Sequence, residues 1–180
     1  METEQLEIEG LMQLKPRLFE DERGVFTESF HEEKYKEILG DFSFKQDNQS
    51  VSKLNVLRGL HFQSPPFEQG KLVHVAHGSV LDIAVDIRKS SSTYGQYVAV
   101  QLDAINKWQF WIPPGFAHGF VALEEDTVFC YKCTNYYAPT HEQTILWNDQ
   151  DLQINWGTDA AFVSQKDKEG IMFNQFNSPF

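Results

Sequence analysis

The chain has 180 residues, a formal net charge of −11, 41% hydrophobic residues and two cysteines. That length fits a single domain with a sizeable core, and the acidity argues against a nucleic-acid surface, which needs clustered Lys and Arg to track phosphates. An anionic small ligand would meet an opposing global field, so a few pocket cations would have to attract it locally.

The N-terminal METEQLEIEG is acidic and leads into no apolar stretch. No apolar run approaches the roughly 18 residues of a membrane span, so a cytoplasmic protein with no membrane partner is expected. In that setting the Asn48-Gln49-Ser50 sequon carries no glycosylation meaning. After Ser29 comes the one clear helix, HEEKYKEILG, with acids in its first turn, Tyr35, Ile38 and Leu39 on one face, and Gly40 as its stop. Short strand-like runs dominate the rest, without internal repeats, and their spacing predicts an all-β sandwich or barrel.

VLRGLHFQ, residues 56–63, places Arg58 and His61 three positions apart in a strand-like run. Side chains an odd number of steps apart face opposite sides of a regular strand. Gly59 between them suggests a bulge that shifts the phase and lets both reach one cavity. Taken alone, a solvated Arg and a core His on an edge strand fit the segment equally well.

In KLVHVAHGSVLDIAVDIR, residues 71–88, Gly78-Ser79 fits a two-residue hairpin turn. Pairing outward sets Val75 opposite Asp82, Val73 opposite Ala84 and Lys71 opposite Asp86. Those six residues then share one face, and Leu72, His74, Ala76, Leu81, Ile83, Val85 and Ile87 share the other. Such a pattern fits a sheet with one solvated face or a barrel whose interior is a polar cup and whose outer face is covered. WQFWIPPGFAHGF then gives an aromatic strand, a Pro-Pro-Gly turn and His118 between two small-residue turns. TVFCYKCTNYY reads as a strand with Phe129, Tyr131 and Cys133 on one face, which separates the two sulfurs of Cys130-x-x-Cys133 and makes them inert core cysteines rather than a redox or zinc pair. From about residue 157 the sequence mixes charge, Gly and Asn and reads as a loosely structured extension.

Pro113-x-Gly115-x-x-His118, after strand-rich sequence containing His61, resembles the cupin jelly roll. Metal-binding cupins use a His-x-His pair, but this chain has His61-Phe62-Gln63, so the ligand count falls short and no metal is expected. The blocks FEDERGVFTESF, KQDNQS, VLRGLHFQ, QGKLVHV, VLDIAVDIRKSS, WIPPGFAHGF, YKCTNYY and ILWNDQDLQINW, in this order, closely resemble the dTDP-4-dehydrorhamnose 3,5-epimerase family from about residue 15 to about residue 170.

The resemblance implies a cupin-type jelly roll and epimerisation of a dTDP-4-keto-6-deoxy sugar at C3 and C5 without a cofactor. Carried over residue by residue, it implies His61 as the base, Asp167 as the carboxylate that orients it, Tyr131 as the acid on the other face of the sugar, and Lys71 as the cation beside the sugar oxygen. Arg23, Glu28, Gln46, Asp47, Asn48, Arg58, His118, Glu142 and Lys166 match substrate-contacting positions. It also implies a homodimer in which strands from residues 1–30 cross to the partner, so that Arg23 and Glu28 act in trans. Gln49 stands where the family often has His, and Cys133 where Thr or Ala is commoner. A related enzyme working at only one carbon or moving the ketone is the alternative reading, followed by a non-catalytic sugar-nucleotide-binding cupin.

Overall fold

Turns and glycines cut the chain into fourteen short strands, two helices and one 3₁₀ turn, all within residues 1–180, which a computed structural model describes throughout. In chain order these are β1 (Glu2–Gln5), β2 (Met12–Lys15), β3 (Leu18–Asp21), β4 (Gly24–Thr27), α1 (Glu32–Leu39), β5 (Gln46–Ser52), β6 (Val56–Gln63), β7 (Lys71–His77) and β8 (Ser79–Asp86). There follow β9 (Tyr97–Asp103), β10 (Gln109–Ile112), β11 (Phe116–Ala122), β12 (Thr127–Cys133), β13 (Glu142–Thr144), β14 (Phe162–Val163) and α2 (Gln165–Lys168).

Two sheets face each other, with strand orders β1-β2-β10-β7-β12-β5 and β13-β6-β11-β8-β9, and β14 adds to β6 in parallel. This is the expected all-β architecture, a cupin-type sandwich. Between the sheets lies an apolar cluster that includes Val73, Val75, Val80, Ala84, Phe110, Phe120 and Phe129. Both outer faces are covered in part. Helix α1 lays Tyr35 and Leu39 over Leu14, Leu72 and Trp111 of the first sheet, while Ile145, Leu152, Trp156, Val163 and Phe176 cover Leu60, Ile83, Val85 and Val121 of the second.

The hairpin expected at Gly78-Ser79 does not form. At Gly78, with φ of +75°, the chain leaves the first sheet and enters the second. Lys71 pairs with Ile112 and Cys133 instead of Asp86. Asp82 pairs with Phe120 and Val100, and Ala84 with His118 and Val98. The two expected faces are nonetheless real, because Val73, Val75 and Ala84 pack in the interior while Leu72 joins the outer cluster of one sheet and Ile83 and Val85 that of the other. Residues expected side by side in a hairpin instead meet across a sandwich, the covered-cup arrangement.

His118 lies in the middle of β11 rather than between two turns. The tail is also firmer than its composition suggests. Val163, Asp167, Phe176 and Ser178 are buried, the Phe176 and Phe180 rings stand edge-on to Phe62, and the Ser178 hydroxyl donates to the Ile87 carbonyl. Aromatic side chains spaced through a polar segment anchor it.

The bulge at Gly59 is present. Register between β6 and β11 shifts between His118 and Phe120, and Gly59 has φ of +149°. A Cβ there would lie 2.6 Å from the Gly119 Cα, and one on Gly119 would lie 2.8 Å from the Arg58 carbonyl oxygen. Both residues must be glycine because backbone occupies the space of their side chains. Gly59→Ala should therefore cost about 2–3 kcal/mol or more through combined overpacking and an unfavourable φ. Thermal unfolding checks this, with Gly24→Ala as control, since Gly24 also has positive φ but nothing within 4 Å of an added Cβ.

Candidate active site

Past the bulge, Arg58 and His61 line the same cavity, of about 510 Å³, open between the two sheets. A second lobe of about 280 Å³ adjoins it and shares His61, Lys71, Tyr131 and Glu142. The combined space is in the range of small-molecule sites. β6 supplies Arg58 and His61, β7 Lys71, β11 His118, β12 Tyr131, β13 Glu142, and the tail Lys166 and Asp167. Gln46 and Asn48 of β5 face the second lobe.

His61 Nε2 and Asp167 Oδ1 are 2.6 Å apart. Asp167 is nearly sealed from solvent, and His61 keeps 25% of its side-chain surface. Burial alone would raise the Asp167 carboxyl, but hydrogen bonds from His61, Ser164 and the Gly59 amide outweigh it and hold the carboxyl below its ordinary value. An ionised Asp167 only accepts, so Nε2 carries the proton and Nδ1 is left as the basic nitrogen of His61. The Asp167 amide in turn donates to Ser164 Oγ at 3.2 Å, where Ser164 caps α2.

Burial raises the Tyr131 phenol, with Cys133 and Glu142 adding to it, so the group stays protonated as a proton donor. Burial lowers the Lys71 ammonium, against the opposing pull of Cys133, Asp82 and Glu142. The Lys71 Nζ donates only to the His61 carbonyl oxygen, at 3.4 Å, and so has further donors for a ligand. Arg58 uses Nε on Ser52 Oγ at 3.2 Å and leaves the rest of its fork unengaged. Burial works against Glu142 ionising, but Lys166 and the Tyr137 hydroxyl both donate to it and hold its carboxyl below the usual value.

Three expected site residues stand apart. Strand alternation turns Asp47 outward from Gln46 and Asn48, and it pairs with Lys132 at 3.0 Å on the outer face. Arg23 sits at the exposed β3–β4 hairpin, paired with Asp21 at 2.6 Å, and Glu28 pairs with Lys34 at 2.7 Å. Neither lines the cavity of its own chain. Cys133 borders the second lobe and accepts from Asn48, so it is less of a bystander than its core reading implied, whereas Cys130 lies on the outer face beside Gln49. Ser50, Ser164 and Tyr137 also line the site without having been singled out. Alternation from Asn48 would have found Ser50; nothing local distinguishes the other two. No group of three or more His, Cys, Asp or Glu side chains is arranged to hold a metal ion.

Such a cup can take a proton from a bound molecule with one group and return it with another, and the class that fold and cup define together is the cupin-type epimerase. The sequence pattern of the dTDP-4-dehydrorhamnose 3,5-epimerase family matches residues 5–175. A dTDP-4-dehydrorhamnose 3,5-epimerase of Salmonella typhimurium is 55% identical over 170 residues, covering 93% of either chain. The crystal structure of a dTDP-6-deoxy-D-glucose-3,5-epimerase from Legionella pneumophila, in complex with dTDP-4-keto-L-rhamnose, superposes with a TM-score of 0.94 at 46% identity, covering 98% of this chain and 94% of that one. A 3'-monoepimerase from Streptomyces bikiniensis in complex with dTDP-quinovose has a TM-score of 0.90 at 32% identity, covering 94% and 87%. The chain belongs to the dTDP-4-dehydrorhamnose 3,5-epimerase family and is an isomerase.

The depressed carboxyl of Asp167 fixes the sign of a pH effect. Its stabilising contribution is full above the unfolded carboxyl value of about 4 and is lost as pH falls through the lower folded value. Asp167→Asn should therefore lower the melting temperature at pH 7 and flatten its fall below about pH 4. Melting curves across that window check this; an unchanged acid limb would show that Asp167 is not held ionised.

Proposed function

We propose that the cavity epimerises dTDP-4-dehydro-6-deoxy-D-glucose at C3 and C5 to give dTDP-4-dehydro-L-rhamnose, with His61 as base and Tyr131 as acid. The observation that carries the assignment is the His61–Asp167 pair on one sheet and its tail, with a protonated Tyr131 on the other sheet lining the same cavity.

Both C–H bonds lie next to the C4 ketone and are acidified by it, so deprotonation and return of a proton from the opposite face invert each centre. An imidazole suits proton abstraction near neutral pH. Asp167 orients the ring and favours the imidazolium that forms. The enolate oxygen needs a preorganised cation, a contribution worth about 3–4 kcal/mol for a single well-placed donor, and Lys71 has the uncommitted donors for it. Arg58 offers its planar fork to the diphosphate. Tyr137, 52% exposed and beside the amides of Gln46 and Asn48, offers an aromatic face for the base. Every step uses only side chains of this protein.

A homodimer would complete the site. The β3–β4 hairpin exposes Phe19 (48%), Val25 (49%) and Phe26 (68%) and carries Arg23 at its turn. Apolar surface of this kind fits a second copy of the chain. In this arrangement Arg23 and Glu28 reach the partner's cavity.

In deuterated water, the intact enzyme should place deuterium at both C3 and C5; label at C3 alone would identify a one-centre enzyme like the Streptomyces bikiniensis protein. His61→Asn should abolish product and exchange together. Tyr131→Phe should still exchange, because His61 can return a deuteron from its own face, but without inversion. A near-normal rate of epimerisation in Tyr131→Phe, or persistent exchange in His61→Asn, would overturn the two roles.

Mixing tests the shared site. Neither Arg23→Ala nor His61→Asn should be active alone, yet a mixed dimer holds one site with His61 from one subunit and Arg23 from the other. After full subunit exchange, activity should return to about a quarter of the native level, since half of the dimers are mixed and each has one good site of two. No recovery on mixing would place Arg23 in its own subunit's site or outside the chemistry.

A further inference from the structure

Asp82 has no accessible surface, yet it is a carboxylate in the sandwich interior. It lies on β8 two positions along from Ala84, the residue paired with His118 of β11, so the two side chains are diagonal neighbours on the inward face. Both carboxylate oxygens engage one ring nitrogen, His118 Nε2 to Oδ1 at 2.9 Å and to Oδ2 at 3.0 Å. His118 lines the cavity, keeping 7% of its side-chain surface, and its Nδ1 makes no hydrogen bond within the protein. Removing a carboxylate from water costs several kcal/mol, and an apolar residue of similar volume is often as good or better for stability. A buried acid in contact with a cavity-lining imidazole therefore calls for a role in the chemistry.

We propose that Asp82 is a positioning residue that locks His118 in the Nε2–H tautomer, so that Nδ1 presents a lone pair to the cavity and accepts a hydrogen bond from a sugar hydroxyl. Two nearly equal distances suit a single N–H shared between two ionised oxygens; a protonated acid would place one oxygen preferentially on the nitrogen. Burial lowers the His118 imidazole despite the pull of Asp82, with Lys71 and His61 adding to the effect, which keeps the ring neutral. Burial raises Asp82 in turn, while His118 and Lys71 hold it back.

A neutral imidazole with Nε2–H committed to Asp82 cannot donate to a ketone oxygen, which itself only accepts. Lys71, a donor with no acceptor capacity, is left as the group for the ketone, and His118 takes a hydroxyl. The two side chains thereby sort the oxygens of the sugar and fix which way the ring lies over His61. This division of labour rests on the epimerase reading of the cavity, but the state of the His118 ring does not.

Nitrogen-15 NMR of histidine-labelled wild-type protein measures that state directly. Between pH 6 and 8, His118 should show a protonated Nε2 and an unprotonated Nδ1; a protonated Nδ1 overturns the proposal. Because this needs no substitution, it stands even if Asp82 variants fold poorly. Asp82→Asn, whose amide can either accept from Nε2–H or donate to a bare Nε2, should mix the two tautomers. kcat should then fall about tenfold to a hundredfold, short of the roughly 10⁴-fold loss when the acid behind a general base is so changed. Affinity for dTDP alone should stay within about twofold, since the sugar and not the nucleotide is misread. Unchanged His118 shifts with wild-type kcat in Asp82→Asn would show the pair to be structural only. Failure of the exchange experiments on His61 alongside the expected His118 tautomer would instead locate the error in the epimerase reading.

Discussion

The site depends on one close approach of backbone to backbone. At Gly59 and Gly119 neighbouring strands pass with no space for a side chain on either, and the register slips at that point. Without the slip Arg58 and His61 would point to opposite faces of β6, one into the cavity and the other into the apolar layer behind it. The same bulge turns the Gly59 amide toward Asp167, where it helps keep the carboxylate ionised. The phase of Arg58 and His61 and the approach of the Gly59 amide to Asp167 thus share a single local cause.

Around that point the sandwich tolerates polarity because each acid in the cup has a close partner. Asp167 is satisfied by His61, Ser164 and Gly59, Glu142 by Lys166 and Tyr137, and Asp82 by His118. The cations are treated differently. Lys71 and Arg58 form no ion pair with these acids and keep donors in reserve. In a chain with a net charge of −11, this leaves local positive potential where an anionic ligand would sit, while the cup's carboxylates are neutralised by close partners.

How far the sequence could be read follows from the range of each interaction. Period-2 alternation in residues 71–88 assigned inward and outward faces correctly, since facing is a local property of a strand. It paired the strands wrongly, because a positive-φ glycine serves a hairpin turn and a crossing between sheets equally well, and only distant partners such as Ile112, Cys133 and Phe120 decide. Helix α1 was legible from its own acids, its apolar face and Gly40. The tail was not, because its polar composition hides a few aromatic anchors whose receptor, Phe62, lies more than 100 residues earlier. Most of the site residues are legible only through resemblance to a family; in the residues themselves, Gly59 with its bulge is the signal that points to the site. Asp47 illustrates the limit of carrying a run of positions across as a block, since a strand presents alternate residues and turns the middle one of Gln46-Asp47-Asn48 away.

The tail also links folding to chemistry. β14 pairs in parallel with the start of β6, Val163 seats in the apolar layer behind the second sheet, and Ser164 then starts the short helix that carries Lys166 and Asp167. Asp167 is carried by a segment that docks through a two-residue strand at the sheet edge and a few aromatic contacts, not by one of the long strands of either sheet. Elements with so little buried area open more easily than the strands they cover. An opening of residues 162–168 would remove Asp167 and Lys166 together while leaving His61, Lys71 and Tyr131 in place on the sheets. On the proposed roles of His61 and Asp167, the fraction of molecules with this segment docked is the fraction with an oriented base, and local stability of the tail would set a ceiling on the activity of an otherwise intact sandwich.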